Sequence, residues 1–168
     1  GLTFGAQPLI SYNFGRKDKE KMLGFYKVNV ISSLVVSISA AAVCYIFGTY
    51  VVGIFTTDAE VASLAYNGLK IACLAYIIGS VNLDTLVYYQ AVEIPKFSNL
   101  ISIFRSMVFL PVCLFVLPRI FGLNGIWASV LTSEIITFVV MYIIANVKKY
   151  TDIVLNKEVE VLEEVVNI

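Results

Sequence analysis

Histidine does not occur among the 168 residues, which removes the commonest general base and the commonest metal ligand. Charge is scarce: Asp, Glu, Lys and Arg make up 14% of the chain, and 12 acids balance 12 bases. No basic face is left for nucleic acid. The three cysteines, Cys44, Cys73 and Cys113, fall singly in different apolar runs, so neither a disulfide framework nor a metal cluster is expected and each reads as a small buried hydrophobe. The stretch before Lys27 lacks the basic, apolar, small-residue order of a signal peptide. The chain opens on Gly1 and reads as a piece of something longer.

What fills the chain is apolar. Hydrophobic residues make up 59% and the mean hydropathy is +0.86, against about 45 to 50% apolar residues in globular proteins. A bilayer is the solvent that suits this composition. Four long apolar runs carry it, and three of them hold an ionisable residue: Asp84, Arg105 and Glu134. A charge near the bilayer centre costs about 2.5 to 3.5 kcal/mol even on the mild insertion scale, so such residues face a bundle interior or a watery path. Transport is the function this pattern favours.

The first span is read over about residues 28–55. At 1.5 Å per residue it reaches about 42 Å, longer than a hydrocarbon core of about 30 Å, so it must tilt or protrude. Ser33, Ser37 and Ala41 recur on one face, a small-residue surface suited to close approach of another helix. The second span covers about residues 71–91, where Tyr76, Ser80, Asp84 and Tyr88 form a polar stripe and Asn82 points nearly the opposite way. The third, about residues 99–117, contains Arg105 near its start and Pro111 near its middle, where a kink is expected. The fourth, about residues 126–147, carries Glu134 beside Ser129, Ser133 and Thr137.

Arg16, Lys17, Lys19, Lys21 and Lys27 precede the first span, Lys96 follows the second, and Lys148 and Lys149 follow the fourth. The opposite side has only Lys70 and Arg119, so the positive-inside rule predicts cytoplasmic ends and an even number of crossings. Residues 149–168 alternate charge with aliphatics and are expected to form a mobile cytoplasmic tail rather than a docking helix; Leu155, Val159, Leu162 and Val166 make a weak amphipathic helical stripe, while Glu-Val-Glu-Val also fits a strand.

The run Gly5-Ala6-Gln7-Pro8-Leu9-Ile10-Ser11-Tyr12-Asn13-Phe14-Gly15, followed by the basic loop, resembles the end of the eighth helix of the multidrug and toxic compound extrusion (MATE) family. Arg105, Pro111, Leu117-Pro118, Phe121-Gly122-Leu123, Gly125-Ile126-Trp127 and Ser133-Glu134 resemble its eleventh and twelfth helices, and Gln90-Ala91 fits the tenth. The resemblance covers about residues 1–148 in order. It implies an all-α polytopic fold: four complete transmembrane helices plus the end of a fifth, within one six-helix lobe of a twelve-helix transporter. The implied activity is secondary antiport, with organic and often cationic compounds leaving the cell in exchange for Na⁺ or H⁺. Two lobes rocking about a central cavity would carry it. The implied partners are the bilayer, the missing N-terminal lobe and a small organic substrate, in a cell membrane expected to be a bacterial inner membrane. No cofactor beyond the coupling ion is expected, and the chain alone is not expected to transport.

Two departures stand out. Relatives commonly place glycine shortly after Gln-Ala, where this chain has Val92-Glu93. Some members use a tenth-helix carboxylate for cation coupling, and that position falls near Gly79, about a turn outward of Asp84. Asp84 therefore rests on its own chemistry: a carboxylate beside Ser80 and Tyr88 can bind Na⁺ through oxygen or exchange a proton. Glu134 is either an ionised partner of Arg105 or a neutral acid hydrogen-bonded to the serines. Gln7, Asn13 and Asn82 match polar positions of the family, where satisfying backbone groups between helices is their expected work, with Gln7 a candidate for the lobe interior. Trp127 and the tyrosines read as anchors or packing. The alternatives are a lipid-linked oligosaccharide flippase of the same superfamily, which would present more cations to its cavity, a non-transporting assembly subunit, and a membrane-embedded enzyme, which lacks the residues for a catalytic constellation.

Overall fold

The structure is a computed structural model that describes the backbone of residues 1–93 and 95–166, and the side chains of these except 2, 95 and 147–166. Among the described residues every regular element is helical. The order is α1 (Leu2–Gly15), α2 (Lys19–Gly53), α3 (Ala59–Ala91), α4 (Pro95–Ile103), a π-helical turn (Phe104–Phe109), α5 (Leu110–Phe121) and α6 (Leu123–Val166). Four helices are long and apolar enough to cross a membrane: Lys19–Gly53, Ala59–Ala91, Lys96–Phe121 and Leu123–Asn146.

Local chemistry sets the breaks. Lys17 takes φ 59° at the end of α1, and the Asp18 carboxylate then accepts the Lys21 N–H at 3.1 Å to open α2. Asp58 opens α3 the same way, accepting from Glu60 and Val61 at 2.9 and 3.2 Å. Gly122, at φ 59°, turns the chain between α5 and α6. Gly125 then lets α6 pass so closely against α5 that a Cβ there would collide with the Leu117 carbonyl.

The first two long helices exceed the hydrophobic spans, since α2 begins at Lys19 rather than near 28 and α3 at Ala59 rather than near 71. Helical hydrogen bonding does not stop where hydropathy does. Lys70 is accommodated by lying over the Tyr66 ring at 4.0 Å from its centroid, an aromatic seat for a charge at the end of the apolar run.

Burial follows membrane logic. Among the described residues as many polar as apolar ones are buried, whereas Val28, Ile31, Val35, Ile46 and Phe115 lie exposed. Lipid gives apolar side chains no drive to hide, so small and hydrogen-bonding residues collect between helices. One apolar cluster joins α1, α2 and the end of α3 through Ile10, Met22, Ala91 and Val92, and Ser11 donates to the Ala91 carbonyl at 3.1 Å.

Residues Gly1–Thr137 form one compact unit and Phe138–Ile168 another. The second is helical as far as Val166, so the segment expected to be a tail continues a helix. Its proposed stripe, Leu155, Val159, Leu162 and Val166, has side chains outside the described residues.

Candidate functional site: a charged clamp and a polar seam

Glu134 and Arg105 meet. Arg105 sits in the π-helical turn two residues after Ile103, and Pro111 follows that turn. A proline at 111 has no N–H to give, so the preceding carbonyls seek longer-range donors, and Leu110 N–H bonds to the Arg105 carbonyl in the π pattern. Where a kink was expected at Pro111, the chain has this π-helical turn just before the proline. From it the Arg105 side chain donates through Nε to one Glu134 oxygen at 3.0 Å, and a terminal nitrogen donates to the same oxygen.

Asn82 completes the clamp from α3. Its amide nitrogen donates to the other Glu134 oxygen at 2.8 Å and to the Glu134 backbone carbonyl at 2.9 Å. Asn82 is fully buried, and both carboxylate oxygens of Glu134 have donors. Gly79 makes room: a Cβ there would lie 3.3 Å from the Glu134 carboxyl carbon. Of the two alternatives for Glu134 the structure has the pairing with Arg105, and the neighbouring hydroxyls donate to backbone carbonyls instead. Ser129 donates to the Cys113 and Gly125 carbonyls, Ser133 to Val130 and Thr137 to Ser133.

Asp84 belongs to a different place. It is 1% exposed and faces α2, where Asn29 donates to one of its oxygens at 2.9 Å; the other oxygen has no donor among the described residues. The same α2–α3 seam carries the Tyr26–Thr85 hydroxyl pair at 3.0 Å and the Ser37–Ser80 pair at 3.4 Å. The polar stripe read from sequence is therefore half of a seam. Its other half, Tyr26 and Asn29, was missed because both lie at the basic edge of the first apolar run; the signal available was the four-residue step from Asn29 to Ser33, Ser37 and Ala41.

A cavity of about 800 Å³ lies between these two constellations. Ser33, Ser37, Tyr76, Ser80 and Trp127 line it, with Arg105 and Glu134 on its wall. The small-residue face of α2 thus both packs on α3 and lines a cavity. Trp127 packs directly on Gly68, where a Cβ would run into the indole. Of the other candidates, Tyr88 packs at a tilt on Tyr26, 4.6 Å between centroids, against the apolar cluster that joins α1, α2 and the end of α3. Gln7 is half-buried on α1 and does not line the cavity, and Asn13 donates to the Leu9 carbonyl of its own helix.

Lipid-compatible helices with an apolar exterior, a charged clamp within and a solute-sized cavity define a multi-pass membrane protein of the transporter class. The MatE family model matches residues 1–115, and the chain belongs to the MATE family. It is 31% identical over 136 residues to the multidrug export protein MepA of Staphylococcus saprophyticus, covering 81% of this chain and 30% of that protein. To MepA of Staphylococcus haemolyticus it is 30% identical over 149 residues, 88% of this chain and 32% of that one. Among solved structures, it matches an outward-facing multidrug resistance MATE family transporter of the MOP superfamily with a TM-score of 0.78 at 15% identity, over 87% of this chain and 33% of that one. A mutant of the Vibrio cholerae MATE transporter VcmN matches with a TM-score of 0.76 at 20% identity, over 84% and 32% respectively. These structures support the fold. The chain spans about a third of the length of the relatives it matches.

Proposed function

We propose that this chain forms part of the second lobe of a secondary antiporter that exports organic, often cationic, drugs or toxins in exchange for Na⁺ or H⁺. The observation that carries the reading is the likeness to multidrug export proteins over four-fifths of the chain, together with an intramembrane cavity walled by a charged clamp. The remaining lobe is the partner the activity requires, the substrate is a small organic molecule, and this segment by itself does not transport. Both ends of the span set face the cytoplasm, in a bacterial inner membrane, with the basic residues on the inner side.

The flippase alternative is not favoured. A diphosphate headgroup calls for several cations, yet among the described residues Arg105 is the only cationic side chain lining the cavity, and it is held by Glu134. The test is expression of the complete transporter in a drug-sensitive host. Resistance to cationic dyes should rise several-fold with the complete protein and stay at the vector level with residues 1–168 alone. No change in dye accumulation at verified membrane expression of the complete protein would refute the reading.

A further inference from the structure

We infer that Cys44 of α2 and Cys73 of α3 together form a dithiol site for a soft, two-coordinate monovalent metal ion of the Cu⁺ class. Sequence spacing keeps the two residues apart, and the packing of α2 on α3 brings them face to face. The helices run antiparallel, with Asn29 on Asp84 at one end and the Tyr66 hydroxyl donating to the Tyr45 carbonyl at 2.9 Å towards the other. Between these contacts the Ser37 and Ser80 hydroxyls stand 3.4 Å apart. Seven residues on from Ser37 and seven back from Ser80, about two helical turns, lie Cys44 and Cys73. One turn further the same register returns at Gly48 and Leu69, where a Cβ on the glycine would lie 3.2 Å from the leucine side chain. The thiols are thus held between two contacts of one register, and the Cys44 side chain is a hydrogen-bonding neighbour of Cys73.

The surroundings select the ligand. Cys44 and Cys73 are half-buried and both line the cavity, whereas Cys113 is buried on α5. A solute in the cavity therefore reaches both sulfurs of the pair. Thiolate is a soft ligand and favours Cu⁺ over hard cations. Among the described residues no third His, Cys, Asp or Glu gathers with the pair, which leaves Zn²⁺ short of the four ligands it takes in a closed site; a monovalent d¹⁰ ion is satisfied by two sulfurs. On binding, two S–H bonds break, two metal–sulfur bonds form, both protons leave to water and no electron moves. The resulting complex carries one negative charge. Lys70, one turn from Cys73 on α3, lies over the rings of Tyr66 and Tyr45 at 4.0 and 5.7 Å from their centroids. Its ammonium group supplies the one positive charge that offsets the bis-thiolate in an otherwise apolar wall.

The intact transporter, purified in detergent with its thiols reduced, supplies the test, with silver nitrate in chloride-free buffer as the probe and excess glutathione as a competing single thiol. Two thiols fixed side by side act at high effective concentration on one ion, so the pair should keep its metal against the competitor while the lone Cys113 gives its metal up. Metal analysis should find one Ag⁺ more per wild-type molecule than in Cys44→Ser, and the same deficit in Cys73→Ser and in the double variant. In the wild type, Ag⁺ should slow maleimide labelling of Cys44 and of Cys73 together, at least tenfold, as read peptide by peptide by mass spectrometry. A wild type that retains no more Ag⁺ than the double variant, protection of one cysteine without the other, or a loss of metal that appears only when both are replaced would each overturn the site. Should a serine variant fail to fold, the labelling pattern of the wild type decides alone. Dye efflux is read separately: its absence would count against the exporter and leave the Ag⁺ result standing.

Discussion

Arg105 holds Glu134 by a single oxygen: Nε at 3.0 Å and a terminal nitrogen converge on it. The other oxygen is thereby left to Asn82 at 2.8 Å. One carboxylate thus ties together the π-helical turn, α6 and α3, and the tie is made of charge-assisted hydrogen bonds away from bulk water, where they are strongest.

Removing one partner of such a pair strands a buried charge. Arg105→Ala should destabilise the intact transporter by about 3 to 5 kcal/mol, and Arg105→Leu with Glu134→Leu should recover part of that loss because no charge remains. Thermal unfolding of the purified protein measures both. An Arg105→Ala protein as stable as wild type would mean the clamp contributes nothing.

The glycines on α3 differ in a way that substitution can expose. At Gly68 a Cβ would overlap the Trp127 ring, whereas at Gly79 it would lie 3.3 Å from the Glu134 carboxyl carbon, a clash a few tenths of an ångström can relieve. Gly68→Ala should cost about 1 to 3 kcal/mol by overpacking, Gly79→Ala less, and Trp127→Leu should rescue Gly68→Ala. Equal melting temperatures for the two alanine variants would contradict the packing described.

Asp18 gives a pH dependence with a definite sign. The Lys21 backbone N–H, and then the Lys21 side chain, lower its carboxyl below the ordinary value. A depressed folded value means the cap stabilises α2 above the unfolded carboxylate range and is lost as pH falls through the folded value. Amide exchange at Lys21 and Met22 should accelerate in acid beyond the intrinsic pH effect. Asp18→Asn keeps a capping oxygen and should remove that dependence; an identical acid response in the variant would exclude Asp18 as its source.

Pro111 is credited with the π turn that aims Arg105. Pro111→Ala restores an N–H and should allow the turn to relax toward α geometry, re-aiming Arg105. A double-mutant cycle between positions 105 and 134 should show coupling of about 0.5 to 3 kcal/mol in the parent and a smaller value in the Pro111→Ala background. Unchanged coupling would mean the turn is dispensable for the clamp.

Much of the architecture was legible beforehand because hydropathy and the bilayer leave few alternatives. Four spans, their order and the family resemblance of Gln7 through Gly15 and of Arg105 through Glu134 needed no coordinates. Helix starts at Lys19 and Ala59 were not legible, since hydropathy marks where a helix enters lipid and capping by Asp18 and Asp58 marks where it begins. A kink was expected at Pro111, but its form as a π turn came from how the carbonyls before it found donors.

The chain by itself determined that Asp84, Arg105 and Glu134 lie within apolar segments and must find partners, because a lone charge in hydrocarbon is too costly to persist. It did not determine which partners. Positions 105 and 134, or 29 and 84, are far apart in sequence, and only the helix rotations and the close approaches allowed by Gly79 and Gly68 decide who meets whom. That tertiary choice gave both Glu134 oxygens donors and left one Asp84 oxygen without a donor among the described residues.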